Sequence, residues 1–218
     1  KEAGIVLSGS PTVTVGYESL EQLPKGRHEE PMLSLDKTKD VAALAEFAGS
    51  HEVLMSWKLD GLTVVLTYRN GALEKAVTRG NGEVGEVITN NARVFQNIPL
   101  HISYQGELIL RGEAVITYSE FEKINEEIGE ADGQYKNPRN LCSGSVRQLN
   151  NEITAKRHVR FYAFALVRAD GVEFDNLRST QFEWLRAQGF DVVEYYRVTS
   201  EQVAKCVAEF EATIQHYD

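Results

Sequence analysis

A lysine, an acid and a glycine stand close together at Lys58-Leu59-Asp60-Gly61. A primary amine can attack phosphorus or a carbonyl carbon, but a lysine of ordinary pKa, about 10.4, holds only on the order of 0.1% free amine at neutral pH. Useful nucleophilicity needs a setting that strips water from the amine or brings cations near it. The flanks point to the first. Val53, Leu54, Met55 and Trp57 precede Lys58, and Leu62 to Tyr68 follow, with the β-branched and aromatic content of buried strands. Lys58 is therefore expected in a desolvating strand setting, with Gly61 letting the chain turn sharply where a substrate must approach. The competing use is a snorkelling side chain at a strand end. Four residues do not decide between the two, and the elements that position them must.

Asn70-Gly71 is the strongest short hairpin signal a sequence offers, and it joins strands predicted over 63–69 and 72–78. Upstream, the stretch from Ser10 to Glu30 reads as extended and loop-rich. A helix is predicted over 40–49 from Val41, Leu44, Ala45 and Ala48, with Ser34 and Asp36 available to cap it. Downstream, a helix is predicted over 86–95. Gly80, Gly82 and Gly85 satisfy the Gly-x-Gly-x-x-Gly dinucleotide pattern, but the preceding strand belongs to a hairpin and no acid lies at the required distance. A kinase glycine loop fails too, because its lysine should follow the loop. Further elements are a strand over 108–116 carrying Arg111-Gly112-Glu113 and a helix over 119–127 opened by a Ser119/Glu122 capping box. A strand with Phe161, Tyr162 and Phe164 over 160–167 precedes a helix, strand and helix over 177–188, 192–198 and 200 onward.

The 218 residues, 42% of them hydrophobic, can bury one sizeable core with room for an extra lobe. A net charge of −9 argues against the whole chain being a self-sufficient nucleic-acid binder. One local patch qualifies: between Lys136 and Arg160 six Lys or Arg face a single acid, Glu152. Cys142 and Cys206 lie far apart with no Cys/His cluster, so neither a zinc site nor a disulfide framework is expected and a reducing cytoplasm fits. No apolar run reaches membrane-spanning length, so no membrane partner is expected. The first ten residues form neither a signal peptide nor a natural start, and the chain is expected to be a piece of something longer.

Taken together, His28-x-x-Pro-Met-Leu-Ser-Leu-Asp36, Lys58-Leu-Asp-Gly61, Thr78-Arg-Gly-Asn-Gly82, Arg111-Gly-Glu113, and Asn137-Pro-Arg-Asn140 with Gly144-Ser-Val-Arg-Gln-Leu149 resemble the adenylation domain of bacterial NAD-dependent DNA ligases. The resemblance runs from about Ser10 to the C-terminus and implies an α+β nucleotidyltransferase (ATP-grasp-like) fold, with antiparallel sheets walling a nucleotide cleft. The chain would then be a partial adenylation domain, lacking the family's N-terminal nicotinamide-binding helical module and its later strands, OB, zinc and helix-hairpin-helix domains. By itself it is expected to be poorly active. The implied cofactors are NAD and Mg²⁺, the implied partner is nicked double-stranded DNA through the full-length protein, and a cytoplasmic monomer is expected. Lys58 would be the nucleophile that becomes lysyl-AMP, with Asp60 beside it. Ser34, Leu35, Ser56, Arg79, Glu113 and Phe164 would contact the cofactor, Phe164 by stacking on adenine, and Arg139 and Arg147 would contact DNA or phosphate. No dedicated metal ligands are expected. Ser56 stands where the family usually has an adenine-contacting acid. Asn81 and Val87 stand in place of usual aspartates, and Leu141-Cys142-Ser143 in place of alanines. The alternatives are a non-catalytic nucleotide- or nick-binding module and an ATP-dependent nucleotidyltransferase.

Overall fold

The computed structural model describes residues 22–32, 37–175, 177–214 and 218. Along them run β1 (Lys25–Arg27), α1 (Val41–Ala48), β2 (Val53–Ser56), β3 (Leu62–Arg69), β4 (Ala72–Thr78), β5 (Val84–Glu86), α2 (Thr89–Ala92), β6 (Leu108–Val115), α3 (Tyr118–Ile128), α4 (Pro138–Val146), α5 (Asn151–Lys156), β7 (Arg160–Ala169), α6 (Arg178–Ala187), β8 (Tyr195–Val198) and α7 (Val203–Thr213). The chain divides into two compact units. The larger holds the described residues of Lys1–Met32 and Leu59–Val192, the smaller those of Leu33–Lys58 and Val193–Asp218.

The larger unit is built on an antiparallel sheet of order β4-β3-β6-β7. Side chains alternate across a strand, so each strand gives one set of residues to each face. Val64, Leu66 and Tyr68 of β3, Leu108, Leu110 and Ala114 of β6, and Phe161 and Ala163 of β7 are buried on one face. Helix α4, with buried Leu141, Cys142 and Val146, lies against β3 and β6, and α6 lies against β7. Each large aliphatic side chain withdrawn from water there contributes roughly 1.5–3 kcal/mol. The other face carries Thr63, Val65, Thr67, Arg111, Glu113 and Tyr162, all half-buried, and it is the face with polar chemistry. β1 and β5 form a separate antiparallel ribbon, Lys25 opposite Glu86 and Gly26 opposite Gly85.

In the smaller unit β2 pairs antiparallel with β8, Ser56 opposite Tyr195. Ala48, Val198, Val203 and Cys206 form its core, with Val41, Leu44, Ala45, Val53, Met55 and Phe210 packed around them. The four residues that predicted α1 are thus the ones it turns inward.

Several boundaries differ from the sequence expectation, each for a local reason. Of the helix expected over 86–95 only Thr89–Ala92 is helical, and Glu86 instead ends strand β5, because the segment first pairs with β1. Helix α1 is capped by Asp40, whose carboxylate accepts the Ala42 N–H, rather than by Ser34 or Asp36, which lie outside the described residues. Helix α3 starts at Tyr118 with Thr117 as its cap, so the proposed Ser119/Glu122 box is displaced by two residues. Strand β8 begins at Tyr195, because Val192 is taken up in a parallel bridge to Ala163. Helix α4 was not expected, although Asn137 capping and Pro138 in the first turn form a recognised start.

Burial pushes the Cys142 thiol up to about 12, with the Glu113 charge adding to the effect, and burial also raises Cys206. The thiolate is the reactive form. Iodoacetamide at pH 8 should therefore leave the folded chain unlabelled and add two labels in denaturant. Rapid labelling of the folded chain, read by intact mass, would contradict the packing of α4 or α7.

Candidate active site

The turn that follows Lys58 is fixed by a carboxylate. Gly61 N–H donates to Glu113 Oε1 at 3.2 Å, and the Thr63 hydroxyl donates to Glu113 Oε2 at 2.9 Å. The β3–β6 register sets Thr63 directly opposite Glu113. Gly61 is required for a different reason from the one expected. Its backbone stays outside the left-handed region, but a Cβ there would lie 1.9 Å from the Ala114 carbonyl oxygen, so only glycine lets the turn seat on β6. Gly112 has a related duty, since a Cβ would lie 2.2 Å from Phe161 Cζ.

Lys58 is not desolvated as expected. It is exposed in the connection after β2, two residues past the end of the paired strand. It is the last residue of the smaller unit's first segment, and Leu59 opens the larger unit. Ser56 closes β2 and is also exposed. Between them Trp57 is anchored within the smaller unit: its indole N–H donates to Glu194 at 3.2 Å, and its ring meets Phe210 edge-on at 4.3 Å.

Arg79 leaves the end of β4 half-buried. Its N–H donates to the Thr63 carbonyl at 2.9 Å and its guanidinium reaches the Met32 carbonyl at 3.4 Å. The His28 ring lies 3.1 Å from the Arg79 carbonyl, and Met32 N–H donates to Gly82 O at 2.8 Å. Two sequence motifs fifty residues apart are therefore one structure. The three glycines build it: Gly80 and Gly82 hold φ of +57° and +98°, and a Cβ on Gly85 would lie 1.7 Å from Thr78 O. Asn81 Oδ1 accepts the N–H groups of Glu83 and Val84 at 2.9 and 2.8 Å, closing the loop. The pattern is a tight strand reversal, in keeping with rejection of a dinucleotide fingerprint.

The remaining candidates are distributed along the larger unit. Asp60 meets Arg139 of α4 at 3.4 Å, with both side chains well exposed. Arg147 makes a two-pronged pair with Glu86, at 2.6 and 3.1 Å, and Lys25 joins the same carboxylate at 3.1 Å. The basic stretch is thus partly neutralised by acids from elsewhere in the chain. Phe164 is half-buried at a register shift in β7, the extra residue opposite the Arg111–Gly112 step, and Tyr162 is the residue directly across from Glu113. Ser34 and Leu35 lie outside the described residues. Sequence reasoning missed Thr63 and Glu86. Strand alternation from Glu113 could have found the first, whereas Glu86 has partners 61 residues away in both directions and gives no local signal.

A cavity of about 750 Å³ lies over this sheet face, lined among others by Arg27, Val65, Lys75, Ile109 and Arg111. Arg111 Nε is buried there with no hydrogen-bond partner among the described residues. The Nε of Arg111 is thus a buried donor on this face, whereas Glu113, Tyr162 and Phe164 are not among the described residues that line the cavity. Among the described residues no three His, Cys, Asp or Glu gather to hold a metal, and no helix is long and apolar enough to cross a membrane.

An α+β domain with antiparallel sheets and a lysine turn clamped by a carboxylate is the class that these features define. The family model for the NAD-dependent DNA ligase adenylation domain matches residues 20–218, and the chain belongs to that family. It is 64% identical over 214 residues to a DNA ligase of Lachnoclostridium phytofermentans, covering 98% of this chain and 33% of that protein. It is 61% identical over 218 residues to a DNA ligase of Ruminiclostridium cellulolyticum, covering 100% of this chain and 33% of that protein. A DNA ligase of Thermodesulfovibrio yellowstonii is 38% identical over 231 residues, 98% of this chain and 34% of that protein. The chain spans about a third of the length of these curated relatives.

The Glu86 cluster gives a pH test. The Arg147 hydrogen bonds, then Lys25, hold the Glu86 carboxyl below the usual carboxylate range against the opposing effect of burial. A lowered folded pKa stabilises the fold above the unfolded value of about 4.3, and that contribution is lost as pH falls through the lower folded value. With partners this exposed the contribution is up to about 1 kcal/mol. In urea melts Glu86→Gln should cost that much at pH 7, and the gap to wild type should close in acid. A gap independent of pH would contradict the assignment.

Proposed function

We propose that this chain is part of an adenylation domain of nucleotidyltransferase (ATP-grasp-like) fold, and that in the full-length protein Lys58 takes AMP from NAD as the first step of sealing a nick in double-stranded DNA. The observation that carries the reading is the Glu113 clamp, which fixes the turn only three residues along the chain from the Lys58 amine. In the reaction the amine attacks the α-phosphorus of NAD, the bond to nicotinamide mononucleotide breaks, and a P–N bond labile enough to pass AMP to a 5′-phosphate is left on Lys58. The 3′-hydroxyl of the nick then displaces AMP. Because Lys58 is exposed, its activation falls to cations at the phosphates: Arg79, whose backbone is tied to Thr63, neutralises phosphate charge and biases Lys58 toward the free amine, and the proton of the attacking amine passes to solvent. Glu113 accepts from ribose hydroxyls, Phe164 stacks on adenine, and Ser34, Leu35 and Ser56 complete the nucleotide contacts. Asp60 holds Arg139, and Arg139 and Arg147, both exposed and only ion-paired, are available to DNA phosphates. Mg²⁺ would be carried mainly by substrate phosphates and water, as this ion prefers, and would draw off charge at the reacting phosphorus. We place the protein in the cytoplasm as a monomer.

The donor separates this reading from its alternatives. Full-length protein incubated with Mg²⁺ and either NAD or ATP should gain the mass of one AMP from NAD alone. Loading from ATP would favour an ATP-dependent nucleotidyltransferase, and loading from neither would leave a non-catalytic module.

A further inference from the structure

Thr63 touches both fixed points of the site. Its hydroxyl donates to Glu113 Oε2, and its carbonyl accepts the Arg79 N–H. It stands directly opposite Glu113 in the β3–β6 ladder, two residues past Gly61, whose N–H holds the other oxygen of the same carboxylate. A β-branched side chain in a strand has a restricted χ1, so the hydroxyl is held in place by its own backbone. The carboxylate is thereby gripped at both oxygens, by the turn at Gly61 and by the start of β3. With the Thr63 hydroxyl removed, Glu113 Oε2 would lose that donor, and the last torsion of the carboxylate, which is broad and lacks a deep staggered well, would be less sharply set.

We propose that Thr63 is a positioning residue for nucleotide binding: its hydroxyl sets the plane in which Glu113 meets the ligand, while its carbonyl sets the start of the Arg79 loop. This rests on the NAD-dependent adenylation proposed above. Thr63→Val keeps the shape and β-branching and removes only the hydroxyl, and Thr63→Ser keeps the hydroxyl. In the full-length protein, single-turnover AMP uptake measured against NAD concentration should show a rise of about tenfold in half-saturating NAD for Thr63→Val, the size of one hydrogen bond to a charged group. The limiting rate should change much less, and Thr63→Ser should restore binding to within about twofold. In a Glu113→Gln background Thr63→Val should add little, since the two act through one contact.

A second readout needs no nucleotide. Hydrogen exchange of the Gly61 amide should quicken in Thr63→Val and remain near wild type in Thr63→Ser. The proposal is overturned if exchange at Gly61 is unchanged in Thr63→Val, if Thr63→Ser binds NAD no better than Thr63→Val, or if the Thr63→Val effect persists undiminished beside Glu113→Gln. If the wild-type protein takes up no AMP, the adenylation reading fails, and the exchange measurement alone decides whether Thr63 positions Glu113.

Discussion

A carboxylate that accepts a backbone N–H from a turn and a hydroxyl from the strand after it can hold that turn in only one place. Glu113 does this to Gly61 and Thr63. The contact exists because Gly61 can approach the Ala114 carbonyl as no other residue could, and because β3 and β6 are in a register that faces Thr63 with Glu113. Under the same strands lies Cys142, whose thiol donates to the Ala114 carbonyl at 3.1 Å. The buried face of helix α4 thus supports the strand that carries Glu113. Losing Glu113 would leave the Gly61 N–H and the Thr63 hydroxyl without that acceptor.

The second fixed point, Arg79, is carried by an arrangement of backbone. Its loop is closed by Asn81, whose side-chain oxygen takes two N–H groups, a duty that an aspartate at this position could perform equally well. Replacement of the family's usual acid there therefore keeps the loop and removes a charge. Val87 follows the same logic. It bridges to Val77, and its methyl lies 3.1 Å from the position a Cβ would take on Gly26, so an apolar side chain suits the packing. Ser56 receives no such explanation from its surroundings. It is exposed at the end of β2, opposite Tyr195.

What could be read from the sequence divides by the range of the interaction. The hairpin at Asn70-Gly71, the inward face of α1 and the strand holding Glu113 are set by local pattern, and each forms where the pattern put it. The motif residues Asp60 and Arg139 are brought together, as are the His28 and Arg79 segments, but their spacing along the chain gave no sign of either contact. Helix α4 was hidden by its glycine and serines, although Gly144 serves packing, since a Cβ there would lie 2.7 Å from the Tyr135 hydroxyl. The count of positive charges between Lys136 and Arg160 overstated the basic surface, because Asp60 and Glu86 arrive from distant positions to pair with Arg139 and Arg147. The desolvated lysine failed for a related reason. Apolar neighbours in sequence do not bury a residue that lies past the end of its strand.

The claim on which the functional reading stands is chemical and concerns one side chain. Full-length protein can be incubated with NAD and Mg²⁺, digested, and its peptides sequenced by tandem mass spectrometry to locate the adenylate. The modification is expected on the peptide containing Lys58, at that lysine and at no other residue. An adenylate found elsewhere, or a Lys58 peptide recovered wholly unmodified, would contradict it.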